Sequence, residues 1–281
     1  MYIYDFIKNL FKPHRLGSLV YLLLNVAILY LVFGNGMPIN LIWIIGAYLV
    51  SLVIALSPVG EFFLRLSYGA RVIKRPDYKA RIEPLFETVY KSEYPNISPN
   101  IKIYYKKDPS ANAFALGRNT IVLHSGLLDA SDEMIKGILA HEFAHIQNKD
   151  TDFILFTYVG NLILLPAIVV YQIFVFAALF CVALIIRSEF IMKALGFILN
   201  IPLILWQKLG NILVLMTSRL SEYKADAFAV DMGVGKELAE ALDALHAKEV
   251  EPGYFAGLAS THPRSDDRIA KILEAIETSN T

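Results

Sequence analysis

The chain has 281 residues, of which 56% are hydrophobic and 19% charged, with a formal net charge of zero and a mean hydropathy of +0.48. That is too apolar for an ordinary soluble domain, and the balanced charge gives no basis for binding nucleic acid. Its single cysteine, Cys181, excludes an intrachain disulfide.

The apolar residues are concentrated. No Asp, Glu, Lys or Arg occurs in the 45 residues from Leu16 to Gly60, interrupted only by Gly34-Asn35-Gly36-Met37-Pro38. This predicts two spans, Leu16 to Phe33 and Ile39 to Leu56, each near the length that crosses a bilayer core. No small-residue cleavage site follows the first run, so a removed signal peptide is not expected. Lys8, Lys12 and Arg15 flank the first span, and Arg65, Arg71, Lys74, Arg75, Lys79 and Arg81 follow the second, while the turn between has no cation. Both flanks are therefore expected on the cytoplasmic side.

In the water-facing segment that follows, Ile82, Leu85, Phe86, Val89 and Tyr90 mark an amphipathic helix ending near Pro95. Short strands are predicted at Ile101 to Tyr105, Ala113 to Leu116 and Thr120 to Leu123, with turns at Asp108-Pro109 and Gly117-Arg118-Asn119. Ser131 then caps a helix with Asp132 and Glu133 in its first turn, and this helix carries His141-Glu142-Phe143-Ala144-His145. Residues four apart share one helical face, so both imidazoles can reach one metal ion. Glu142 sits beside them, placed to take a proton from a water on that metal, the layout of a zinc peptidase.

A second uncharged run covers the 34 residues from Phe153 to Ile186, and Phe190 to Gln207 holds only Lys193. These predict two more spans around a short loop at Arg187-Ser188-Glu189. The first run exceeds one span, so part of it is expected to continue the motif helix. Lys193 is expected at one interface, Trp206 and Lys208 at the other. Beyond lies a helix with Glu222 and Asp226 four apart on one face, stopping near Gly233. Another helix follows from Lys236 to Glu249, with Leu238, Leu242 and Leu245 inward, and Thr261-His262-Pro263-Arg264 leads into a terminal helix. A catalytic site leaves a coordination position open, so two histidines need one more donor. Glu222 or Asp226 can supply it while the other orients an imidazole.

Together, H-E-F-A-H, S-R-L-S-E-Y-K-A-D, the upstream N-A-F-A-L-G and the downstream T-H-P resemble the HtpX-type membrane zinc metalloproteases, gluzincins related to the CAAX prenyl proteases. The resemblance runs from the first span almost to the end. It implies one catalytic Zn2+ on His141, His145 and Glu222, with Glu142 as general base and Asp226 holding His141. It further implies that Asn112, Ala113 and Phe114 form a substrate-binding edge strand and that His262 stabilises the oxyanion. His14, His124 and His246 have no such role in it. The expected fold class is α+β: a mainly helical, zincin-like catalytic domain with a small sheet, plus four transmembrane helices in two hairpins. Residues 1–66 and 153–208 would form the hairpins, and 67–152 with 209–281 the catalytic domain. The gap of 77 positions between His145 and Glu222 holds the second hairpin. The expected function is membrane-embedded endopeptidase activity on unfolded or membrane proteins, as quality control at the cytoplasmic face of the cell (inner) membrane. Prenyl-protein processing and a non-catalytic metal-binding scaffold are the alternatives.

Overall fold

A computed structural model of the chain describes residues 6, 8, 10–12, 16–91, 101–152, 155, 160–186, 188–215, 218–248 and 265–279. These form two compact units, one from residues 1–55 and 156–217, the other from 56–155 and 218–281.

Among the described residues, the first unit holds four helices long and apolar enough to cross a membrane. They are α1 (Leu16–Phe33), α2 (Pro38–Ala55), α6 (Leu165–Ala183, entered through a 3-10 turn at Gly160–Leu164) and α7 (Glu189–Leu215). The tight turn between α1 and α2 places Asn35 and Gly36 at positive φ. In α1, Asn25 is fully buried; it donates to the Tyr48 hydroxyl of α2 at 3.1 Å and accepts the Trp206 indole N–H of α7 at 2.9 Å. Trp206 also stacks on Tyr21, with ring centroids 6.0 Å apart. A residue expected as an interface anchor thus ties one hairpin to the other, because a buried asparagine between apolar helices must find partners. Lys193 pairs with Glu189 one turn away, at 2.6 Å.

The second unit begins with α3 (Pro58–Ser67), capped by the Ser57 hydroxyl. It continues through β1 (Arg71–Val72), α4 (Pro76–Lys91), β2 (Lys102–Lys106), β3 (Ala113–Leu116), β4 (Thr120–His124) and α5 (Asp132–Gln147). After the second hairpin come α8 (Ser218–Asp231), α9 (Gly235–Lys248) and α10 (Ser265–Ser279). The sheet order is β1-β2-β4-β3, with β2 parallel to β4 and the outer pairs antiparallel. The α+β expectation therefore holds, with one short strand, β1, that two-residue patterning cannot signal.

The centre of this unit is α5. Ser131 accepts the Met134 N–H, and Arg81 braces the entry, bonding Asp132 at 2.7 Å and the Leu128 carbonyl at 2.6 Å. Ile135, Leu139 and Phe143 pack with Ala113, Ile121 and Leu123 of the sheet and with Ile82 and Phe86 of α4. Gly137 lets α9 approach so closely that a Cβ there would meet the Leu238 main chain. The motif helix ends at Gln147: Lys149 sits at φ 58 after the Asn148 cap, and helical backbone resumes at Thr151 and Asp152, so the helix expected to continue from the motif does so only across a break. The Lys149 and Asp150 N–H groups instead close the last turn onto Ile146 and His145.

Candidate metal centre

His141, Glu142 and His145 lie on the fully packed stretch of α5 and are each buried, as are Glu222 and Asp226 on α8. An imidazole or carboxylate buried this deeply needs partners, and each has them. His141 Nδ1 lies 3.0 Å from Asp226, and His145 Nδ1 lies 3.2 Å from Asp150. With both Nδ1 atoms beside carboxylates, a neutral ring at either position keeps its proton on Nδ1 and its lone pair on Nε2, and the two Nε2 atoms are 3.2 Å apart. The Glu222 oxygens stand 3.4 Å from His141 Nε2 and 3.5 Å from His145 Nε2. Tetrahedral ligands at zinc distances are separated by about 3.4 Å. One ligand atom from each residue thus falls within 4.8 Å of the others, a set that can hold a metal ion.

Charge agrees with this fit. Glu142, Glu222 and Asp226 are three buried carboxylates, and Arg268 of α10 is the buried cation among them. Its guanidinium contacts Asp226 at 2.6 and 2.8 Å and Glu222 at 3.2 Å, and Nη2 lies 3.4 Å from both ring nitrogens of His141. The excess of negative charge has a direct consequence. Burial and Arg268 push the His141 pKa down, but the bonds to Asp226 and Glu222 outweigh them and raise it to about 9. A dication answers the same excess without a proton. Burial pushes Asp226 up, yet Arg268 and His141 hold it below the ordinary carboxylate range.

Glu142 is held to the sheet: its Oε2 accepts the Ala115 N–H at 2.7 Å. This bond reveals how β3 faces. His124 donates its N–H to the Asn112 carbonyl, which makes that pair hydrogen-bonded in the antiparallel ladder. By alternation, the main-chain groups of Ala113 and Ala115 turn away from β4, toward the open edge of the sheet. Asn112 is buried at the entry of this strand, and Phe114 packs against Tyr68 on the opposite face from Ala113.

The geometry brings together His141, Glu142, His145, Glu222 and Asp226, with Ala113 on the strand that bonds Glu142. His262 and His14 lie outside the described residues. His124, assigned no role from the sequence, is buried with Nδ1 2.7 Å from the Ser110 hydroxyl. Two contributors have no signal in the sequence reading. Asp150 follows His145 by five positions, beyond a helix break that periodicity does not show. Arg268 looks like an ordinary basic residue of an amphipathic terminal helix.

Residues 76–276 match the model of peptidase family M48. A protease HtpX homolog of Neisseria meningitidis serogroup C / serotype 2a is 29% identical over 234 residues, covering 76% of this chain and 80% of that protein. One from Bacteroides fragilis (strain YCH46) is 30% identical over 283 residues, covering 87% and 83%. A crystal structure of S. mikatae Ste24p aligns with 96% of this chain and 65% of its own, at 22% identity and a TM-score of 0.45. With a family match across most of its length and relatives of this likeness, the chain belongs to peptidase family M48, as an HtpX-like membrane metalloprotease.

Proposed function

We propose that this protein is a zinc-dependent endopeptidase that hydrolyses unfolded or misfolded membrane proteins, in quality control at the cytoplasmic face of the cell (inner) membrane. The observation that carries the reading is the convergence of His141, His145 and Glu222 on one point, with both imidazole tautomers set by carboxylates. Two nitrogens and one carboxylate oxygen are a catalytic zinc set, leaving one position open. Zinc bound there supplies Lewis acidity and brings the pKa of water to about 7.

The chain's own residues do the rest. Asp226 and Asp150 keep the Nδ1 protons of His141 and His145, so both Nε2 atoms remain donors of electron pairs. Glu142, with one oxygen occupied by Ala115, uses its carboxylate to accept a proton from water and passes it to the leaving amine. The open edge of β3 pairs with an extended peptide through main-chain groups, with Asn112, Ala113 and Phe114 as the substrate segment. This pairing also puts the peptide beside Glu142, because both use the same strand edge. His262 is assigned to the developing oxyanion on the family resemblance. Cytoplasmic placement rests on the Lys and Arg flanking α1 and α2.

The test is zinc content and casein degradation by the purified full chain. Zinc-loaded protein should degrade casein at many bonds. Binding of zinc without any hydrolysis would favour the scaffold reading. Cleavage confined to one bond of a prenylated peptide would favour prenyl-protein processing.

A further inference from the structure

Only two residues separate the end of α2 from the start of α3, whose two faces differ sharply. Gly60, Glu61 and Leu64 are buried, whereas Val59, Phe62, Phe63 and Leu66 are between 50 and 66% exposed. The exposed four follow the i, i+3, i+4, i+7 spacing of a single stripe. Two phenylalanines, a leucine and a valine exposed side by side form an apolar patch that calls for a covering partner.

Next to this stripe the chain is basic. Six Lys and Arg residues, and one acid, lie between Arg65 and Arg81. Arg81 is spent on the start of α5, Arg75 is paired with Asp77, Arg65 with Glu61 and Lys79 with Glu83, which leaves Arg71 and Lys74. Arg71 and Lys74, both exposed, line with Arg75, Tyr78 and Tyr105 a cavity of about 220 Å³. Only four residues separate Ser67, the last of α3, from Val72, which lines that cavity and is itself 64% exposed.

We propose that α3 lies in the bilayer interface, its Val59-Phe62-Phe63-Leu66 stripe at the acyl boundary and the adjoining basic cavity holding an anionic lipid headgroup. Three observations select the bilayer as occupant. The helix is covalently continuous with a membrane-spanning segment, so its start cannot leave the interface. Its apolar stripe and basic flank are the pattern of a helix lying in the plane of a membrane. Arg71 and Lys74, among the residues lining the cavity, complement an anionic headgroup, while Val72 and Ile73 give it a largely apolar wall.

A consequence follows for substrate, and it rests on the edge-strand reading above. The inner face of α3 holds the turn between β3 and β4: Glu61 accepts the Arg118 N–H at 2.7 Å, and Tyr68, just past the helix, packs on Phe114. A helix fixed in the interface therefore fixes the edge strand beside it. The substrates so favoured are segments emerging from the lipid surface.

Single cysteines at Phe62 and Leu66, and at Glu274 of α10 as a water-facing control, would carry spin labels in the full chain with Cys181→Ala. Measurements would use nanodiscs of phosphatidylethanolamine and phosphatidylglycerol, and again of phosphatidylcholine. Labels at 62 and 66 should collide with oxygen more than with a water-soluble nickel chelate, and the label at 274 the reverse. Aqueous-type accessibility at 62 and 66 would overturn the proposal, as would shielding from both reagents, the sign of a protein partner. Arg71→Ser with Lys74→Ser should abolish any preference for phosphatidylglycerol; an unchanged preference would remove the headgroup site. For the substrate consequence, Phe62→Ser with Phe63→Ser should lower cleavage of a bilayer-anchored substrate about tenfold and leave a soluble unfolded peptide unaffected. Equal loss on both substrates would sink that consequence. Failure of the peptidase reading itself would show as no cleavage of either substrate by the wild-type chain, with the label data untouched.

Discussion

In the proposed chemistry Glu142, Glu222 and Asp226 have different roles, and substitutions should separate them. Glu142→Gln keeps the shape and the bond from Ala115, since the amide oxygen still accepts, but the amide does not take a proton from water. Zinc content should stay at the wild-type level while casein degradation falls at least ~100-fold. Substantial proteolysis by the zinc-loaded variant would remove the general-base assignment. Glu222→Ala should lose most of the zinc, because two imidazoles alone make a weak site, whereas Asp226→Ala should weaken zinc affinity by ~10–100-fold. Unchanged zinc in Glu222→Ala would mean that a different donor completes the set. Arg268 is a third kind of case. It is 2% exposed and faces two carboxylates, so Arg268→Met strands buried negative charge and should cost about 3–5 kcal/mol of stability. Denaturant melts of the zinc-free protein would read this; a variant as stable as wild type would show that Arg268 is not needed to hold the α8 carboxylates.

At the scale of elements, β3 carries the substrate proposal, because it is a sheet edge whose open side already bonds Glu142 of α5. Ala113→Pro removes the N–H that alternation turns outward and leaves the ladder to β4 intact. Peptide KM should rise while zinc content and Tm stay near wild type. An unaltered KM in the stable, zinc-loaded variant would show that this strand is not where the peptide lies. The motif helix, by contrast, is over-determined: its cap, its Arg81 brace and its close contact with α9 all act on one sixteen-residue element.

For the whole molecule, the arrangement that matters is the side of the membrane on which the catalytic segments stand. The Lys and Arg asymmetry across α1 and α2 predicts both termini on the cytoplasmic side. A cysteine in the first turn should therefore react with an impermeant thiol reagent on intact cells, and one at Ser279 should not, both in a Cys181→Ala background. Met37 is the better position in that turn, since it is exposed and Asn35 sits at φ 47, where a new side chain is strained. Labelling at Ser279 and not at Met37 would invert the topology.

Most helices, and the two histidines able to face one metal ion, are legible from local sequence patterns. Uncharged runs marked α1 and α2 to within a residue, because a bilayer dictates length and polarity together. The Ser131 cap and the four-residue spacing of His141 and His145 fixed the metal-facing helix, since both follow from local geometry. Glu222 and Asp226 were visible as a pair on one helical face, but which of them turns toward the imidazoles' Nε2 atoms was set by packing of α8 on α5. The remaining contacts arise only once distant segments pack together. Asp150 reaches His145 because the chain reverses at Lys149, Arg268 reaches Asp226 across 42 positions, and Trp206 reaches Asn25 across 181. Periodicity records which face of a helix is buried, whereas these contacts depend on what lies opposite it, and no local spacing carries that information.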